Sequence, residues 1–331
     1  MRDLTFVLAG PARHGVRLHA HALARHTPGA HLVNIDDGDL PPGPVHLHFT
    51  DRIFGRDALL AADRLGALVG SRPMTLTLHD LPQHSDGASF ERRRQGYAQV
   101  VAGARGVQVS SEHERFLLER VWRAAGQGSL PPVTVVPLPV DRPPRWGPRG
   151  VATKPGAGPV VVLGFVYPGK GHAETLRAMA ALPPGVPLVA VGAPSDGHED
   201  LLVQLEQDAA AQGRLFECTG YVTDEDLEDW TDRSGVPVSA HTHISASGSI
   251  NRWISSGRRP IVTPGAYVEE LHRRAPWAVT VTTDLPAAIG AALHDPASTW
   301  IRESEWDGDS LPDTRAAAAM QLAAIDALGP A

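Results

Sequence analysis

The chain predicts two doubly wound α/β domains, and three features of its 331 residues carry that expectation. Short runs rich in Val, Leu and Ile alternate with longer segments of helical period. A Pro-, Gly- and Arg-dense stretch without periodicity, "DRPPRWGPRGVATKPGAGP" at 141–159, interrupts them, and the alternation then restarts. Apolar runs of this kind are what parallel strands need when helices cover both faces of their sheet.

In the first half we read strands at "LTFVLAG", "HLVNI", "VHLHF", "TLTL", "VQVS" and "TVVPL". Helices are centred on "GVRLHAHALARH", "DALLAADRLGALVG", "RRRQGYAQVVAGA" and "EHERFLLERVWRAA". In the second half "VVVLGFV", "PLVAVG", "RLFECTG", "VPVSA", "PIVT" and "AVTVTT" are strands, each followed by a helix, and "DTRAAAAMQLAAIDAL" is a helix by propensity. The expected division is residues 1–142, a linker at 143–159, a second domain at 160–300 and a C-terminal helical segment at 301–331. Ligands of two such domains belong at the carboxyl ends of the strands, in a central cleft.

Composition narrows the function. A hydrophobic fraction of 42% with 20% charge is that of a soluble globular protein, and a net charge of −7 argues against nucleic acid as a partner. The single cysteine, Cys218, excludes an intramolecular disulfide. "MRDLTFVLAGPARHG" has too short an apolar run for a signal peptide or a membrane span, so a cytoplasmic protein is expected. Of the 30 lysines and arginines only Lys154 and Lys170 are lysines, which makes each more informative.

Four places in the second half point to one anionic ligand. In "VVVLGFVYPGKGHAETLRAM" a strand ends in Gly164 and a Pro-Gly turn delivers Lys170 to the start of a helix, where a cation, free amides and the helix dipole all favour negative charge. "PLVAVGAP" runs into Gly192, which admits either a ligand or tight packing. "SASGSINRWISSGRRPIV" supplies Ser247, Gly248 and Ser249 before a helix, as caps or as phosphate ligands, with Arg252 one turn on. In "PGAYVEEL", Glu269 could reach a sugar hydroxyl or simply favour its helix dipole.

In the first half, "TLTLHDLPQHSDG" places His79 and Asp80 directly after a strand, where a histidine can exchange a proton or hydrogen-bond a hydroxyl. Gly15 precedes the first helix and could offer its amide to a phosphate. The 16 histidines raise the question of metal, but neither "HAHALARH" nor "HLH" gathers a complete ligand set by local spacing, so no metal is expected.

Taken in order, these motifs resemble those of the GT-B glycosyltransferases, in particular the large retaining group that uses nucleotide-sugar donors without a metal ion. The resemblance rests on the first glycine turn, "TLHD", "VQVSSEHERFLL", "VVPLPVD", "LGFVYPGKG", "LVAVGA", "FECTGYVTDEDLEDW" and "SGRRPIVTPGAYVEEL". It implies two Rossmann-like domains and a nucleoside-diphosphate sugar donor, with no further cofactor. Lys170 and the Gly15 amide would contact the diphosphate, and His79 the transferred sugar. Two features depart from the family: Phe165 stands where it has an arginine, and Ile244 and Arg252 stand where it has a pair of glutamates. The "SASGSI" version of the loop resembles a subset that holds phosphate with a Ser-Gly turn.

The reading is therefore a hexosyltransferase-like enzyme whose acceptor is a small soluble molecule rather than a lipid, because no basic amphipathic helix is present for docking on a membrane. A degenerate GT-B protein that only binds, or a GT-B enzyme of another reaction type such as a sugar epimerase, are the alternatives.

Overall fold

The computed structural model describes residues 4–147 and 158–330, so residues 148–157 of the expected linker lie outside the described residues. The chain divides into two compact units, one of residues 1–139 and 312–331, the other of 140–311.

The first unit runs β1 (Thr5–Leu8), α1 (Gly15–Arg25), β2 (His31–Asn34), β3 (Val45–Phe49), α2 (Asp51–Phe54), α3 (Ala58–Val69), β4 (Met74–Leu78), α4 (Phe90–Ala102), β5 (Gly106–Val109), α5 (Glu112–Ala124) and β6 (Val133–Val135). Its sheet has the order β2-β1-β3-β4-β5-β6, with every pairing parallel. The direction of winding reverses between β1 and β3, the point at which such sheets open a crevice. All residues of β3 and β4 are buried, in register Leu47 to Leu76 and Phe49 to Leu78. Phe49 stacks on Phe54 at 5.3 Å and meets the Tyr97 ring edge at 5.2 Å. Each such side chain contributes about 2 kcal/mol by leaving water. Helix starts follow the sequence: Asp57 accepts from the Leu59 amide, and Ser111 accepts from the Glu114 amide.

The second unit runs β7 (Val160–Leu163), α6 (His172–Met179), β8 (Leu188–Val191), α7 (Glu199–Ala211), β9 (Phe216–Cys218), α8 (Asp224–Arg233), β10 (Val236–Ser239), α9 (Gly248–Ser255), β11 (Ile261–Val262), α10 (Ala266–Arg274), β12 (Thr280–Val281) and α11 (Leu285–His294). Its order, β12-β11-β10-β7-β8-β9, is again parallel, and winding reverses between β7 and β10. Arg258 is wholly buried and ties this unit together. It donates to the carbonyls of Thr231, Ser234 and Gly235 and to the hydroxyls of Ser234 and Thr299, with its guanidinium 4.2 Å from the Trp300 ring centre. Carbonyl and hydroxyl partners let the guanidinium sit in the core without a bonded carboxylate.

The C-terminal part differs from the expected separate segment at 301–331. Residues up to Leu311 pack with the second unit, where Ile301 and Leu311 join its core. From Pro312 the chain belongs to the first unit, and α12 (Thr314–Asp326) lays Ala317 and Ala318 against Leu23 and Val136. Arg105 secures the end by donating to the carbonyls of Leu328 and Pro330 at 3.1 and 2.7 Å. The alanine run signalled a helix, but not which unit its apolar face would cover.

Among the described residues no helix is long and apolar enough to cross a membrane, and no group of three or more His, Cys, Asp or Glu side chains is arranged to hold a metal ion.

Candidate functional site

In the second unit, the loops after β7 and β10 meet at the reversal of the sheet. Gly171, at φ +106°, presses its backbone against Ala240, so that a Cβ there would lie 2.6 Å from the Ala240 carbonyl oxygen. Thr242 donates its amide to the Gly169 carbonyl at 3.0 Å. Between these loops lies Lys170, only 6% exposed, with Nζ donating to Ser249 Oγ at 2.7 Å and lying 3.1 Å from His241 Nε2. Gly164 lies alongside at φ +106°, and a Cβ on it would come within 3.0 Å of Nζ.

Burial lowers Lys170 from 10.5 to about 7. His172 falls to about 3 for the same reason, with the neighbouring lysine adding to it, and His241 is driven well below its ordinary range by burial and by Lys170. Both histidines are therefore uncharged near neutrality. The His172 ring is 1% exposed, and neither of its nitrogens has a hydrogen-bond partner. Two helix N-termini flank the lysine. No side chain caps α6, and α9 is capped by Ser247, whose Oγ accepts from the Ile250 amide at 3.2 Å and lies 3.0 Å from Ser249 Oγ. Because the first amides of a helix have no intrahelical acceptor, those of Gly248 and Ser249 add to the positive character of the crevice. An anion would gain from all of this and would draw Lys170 back to its charged form.

The structure brings Lys170, Ser247 and Ser249 together, and Gly248 opens the helix beside them. Arg252, one turn along α9 from Ser249, turns instead to Asp224, whose carboxylate is 3.7 Å away. Ile244 packs against the apolar cluster beneath α9. Gly192 has a packing reason, since a Cβ on it would lie 2.3 Å from the Gly164 carbonyl oxygen, and its amide donates to Thr219 Oγ1 at 3.2 Å. Glu269 is exposed in the first turn of α10.

In the first unit, β4 delivers His79 and Asp80 to the end of its sheet. The His79 amide donates to the Phe49 carbonyl at 2.8 Å, and Tyr97 Oη donates to the His79 carbonyl at 2.8 Å. Asp80 adopts φ +53°, a left-handed conformation that is rare outside glycine and costs about 1 kcal/mol. Arg93 holds it there, with Nη2 donating to the Asp80 carbonyl at 2.6 Å and to its Oδ2 at 2.9 Å while Nε and Nη1 reach Asp51 and Asp86. Crowding by protein pushes the Asp80 carboxyl up to about 6 and Arg93 pulls it down. With 63% of the side chain open to water and a guanidinium at hydrogen-bond distance, geometry favours the carboxylate. Gly15 is the first residue of α1, with open space around its Cα and an amide that has no intrahelical acceptor.

Four histidines gather beside this turn. The His48 ring stacks on His79 at 5.1 Å, and His19 meets both at 5.2 and 5.7 Å, while His46 contacts His48 at 5.5 Å. Local spacing could not show this, because α1, β3 and β4 each contribute part of the group. Burial, reinforced by neighbouring rings, holds His48 and His79 well below the usual histidine range. Burial thus favours an uncharged His79 ring near neutrality, a form that can hydrogen-bond a hydroxyl or accept a proton. His241 and His48 were absent from the expected site, and their only sequence signal was a place at or near the end of a strand.

No family model matches the chain, and no curated protein matches it by sequence. Solved structures do. Anabaena HepE in complex with UDP and glucose is similar with a TM-score of 0.73 and 15% identity, over 98% of this chain and 100% of that one. Sucrose-phosphate synthase from Thermosynechococcus elongatus gives a TM-score of 0.72 and 17% identity over 99% of each chain. The α,α-trehalose-phosphate synthase (UDP-forming) from Burkholderia xenovorans, in complex with glucose-6-phosphate, gives 0.70 and 9% over 99% of this chain and 100% of that one. Together with two parallel sheets, each reversing beside its first strand, this likeness establishes the architecture: the chain has the GT-B fold.

Proposed function

We propose that the protein is a glycosyltransferase that moves a sugar from a nucleoside-diphosphate sugar to an acceptor, independently of metal and with retention at the anomeric carbon. The observation that carries the reading is the Lys170 crevice, a buried lysine between two helix N-termini at the reversal of the sheet, with no carboxylate among the described residues hydrogen-bonded to its ammonium. A cation beside free helix amides at a reversal of strand order is suited to holding an anion. The complexes of Anabaena HepE with UDP and with UDP-glucose support a diphosphate as that anion.

In the reaction the bond from the anomeric carbon to the diphosphate oxygen breaks, and negative charge grows on the departing diphosphate. Lys170 Nζ and the amides of Gly248 and Ser249 meet that charge, with Ser247 ordering the turn. The cation is supplied by the chain itself. His79 hydrogen-bonds the transferred sugar, and Asp80, fixed by Arg93, sets the turn that presents it. Gly192 and Glu269 complete the donor-side set, Gly192 through backbone packing and Glu269 through a sugar or ribose hydroxyl. Arg252, turned to Asp224, is an outer part of the loop. The acceptor is a small soluble molecule, and the protein acts in the cytoplasm.

The test is to incubate the protein with UDP-glucose and candidate acceptors, follow UDP release, and read the anomeric configuration of any product by NMR. An α-linked product with Lys170→Ala at least tenfold slower is expected. Binding of UDP without transfer would favour the degenerate alternative, for which the apolar contact of Ile244 speaks. Conversion of the sugar without an acceptor would favour an epimerase.

A further inference from the structure

The histidine group of the first unit is connected to the C-terminal helix by a directional chain of hydrogen bonds. Gln321, 1% exposed on α12, places Nε2 at 3.1 Å from His48 Nε2 and 3.3 Å from Thr77 Oγ1. His48 Nδ1 lies 3.0 Å from His79 Nε2. An amide nitrogen only donates, so His48 Nε2 must be the bare, accepting nitrogen of a neutral ring. A neutral ring carries its proton on the other nitrogen, so His48 Nδ1–H donates to His79 Nε2. His79 Nε2 is then the acceptor, and its proton sits on Nδ1. No protein group among the described residues bonds His79 Nδ1.

The orientation of Gln321 is itself fixed. Its backbone carbonyl accepts from Gln108 Nε2 at 3.0 Å, and Gln108 Oε1 accepts from Thr77 Oγ1 at 3.3 Å. His46 closes the network with Nδ1 at 2.9 Å from Thr75 Oγ1 and Nε2 at 3.1 Å from Thr77 Oγ1. The groups facing His79 and His48 are thus His19 from α1, His14 at its N-cap, His46 on β3, and Gln321 from α12. None is acidic, so the chain of donors runs in one direction.

We infer that Gln321 is a positioning residue that sets the tautomer of His79 through His48, so that His79 offers an Nδ1–H donor to an accepting oxygen of the bound sugar. The last clause rests on the reading of His79 as a sugar contact, whereas the tautomer does not. The arrangement gives α12 a reason to return to the first unit besides covering Leu23 and Val136. It also makes the site selective: a hydroxyl oxygen with a free lone pair is accepted, and a ligand group able only to donate is refused.

The experiment is nitrogen-15 NMR of the full chain with labelled histidine, His79 being assigned as the signal pair missing from His79→Gln. The expected spectrum shows His79 protonated on Nδ1 and neutral from pH 6 to pH 8. Gln321→Glu introduces an accepting oxygen at the same place and is expected to move both His48 and His79 to the Nε2–H form. In the transfer assay the same variant should lower kcat at least tenfold with KM for UDP-glucose within threefold, because the diphosphate contacts lie elsewhere. A wild-type His79 that carries its proton on Nε2, or that charges above pH 6, would overturn the inference even if the variant failed to fold. A correct tautomer in a protein that transfers no sugar would leave Gln321 its positioning role and remove the sugar as its purpose.

Discussion

Replacing Lys170 by methionine should make the free protein more stable while removing its affinity for the donor. The side chain is 6% exposed, and burial takes it from 10.5 to about 7. A depression of that size corresponds to about 5 kcal/mol of cost to the charged form. Methionine removes that cost but takes one hydrogen bond from Ser249 Oγ, which keeps Ser247 Oγ, and one from His241 Nε2, at about 1 kcal/mol each, so the net gain is about 3 kcal/mol below pH 7. The pH dependence has a definite sign. Between about 7 and 10.5 the unfolded wild-type chain binds more protons than the folded one, so wild-type stability rises with pH across that window. The gap between variant and wild type is therefore widest at pH 6, closes near about pH 9 and reverses by about pH 10. Urea unfolding of both proteins at pH 6, 8 and 9.5, followed by tryptophan fluorescence, reads it directly. A variant less stable than wild type at pH 6, or a gap that does not change with pH, would refute the account of Lys170 as a strained, uncompensated cation. A stabilising substitution that abolishes binding is the pattern expected of a residue kept for function.

Other expectations follow from single contacts. Gly171→Ala forces a Cβ to 2.6 Å from the Ala240 carbonyl oxygen at φ +106°, and should cost more than about 2 kcal/mol in urea and also weaken UDP binding. Arg258→Met removes the guanidinium donor from the carbonyls of Thr231, Ser234 and Gly235, of which Thr231 keeps the Ser234 hydroxyl, and a loss of about 3–5 kcal/mol is expected in the unfolding of the second unit. Removal of residues 312–331 uncovers Leu23 and Val136 and deletes Gln321; limited proteolysis should then cut the first unit while the second stays resistant. Asp80→Val should be worse than Asp80→Asn by about 1–2 kcal/mol, since asparagine tolerates the left-handed conformation and a β-branched residue does not.

Much of the fold was legible because parallel strands buried on both faces leave apolar runs, such as "VVVL", between segments of helical period, and because Ser247 stands as a cap before α9. The lysine of the crevice was legible too, because lysine is scarce and Lys170 follows a strand and a Pro-Gly turn. What could not be read was anything that depends on elements far apart in the chain. Gln321 meets His48 across 273 positions, and His241 meets Lys170 across 71, with no local period to betray either. The return of α12 to the first unit was hidden for the same reason. Gly192 left two readings open in the sequence, because a glycine that relieves backbone crowding and one that admits a phosphate are the same letter.

The central claim, that the Lys170 crevice holds the diphosphate of a nucleotide sugar, is tested most directly by calorimetric titration of UDP-glucose into the wild-type protein and Lys170→Ala at pH 7. The account predicts saturable binding to one site in the wild type, at least tenfold weaker in the variant. Equal affinity in both proteins, or no binding to the wild type, would contradict it.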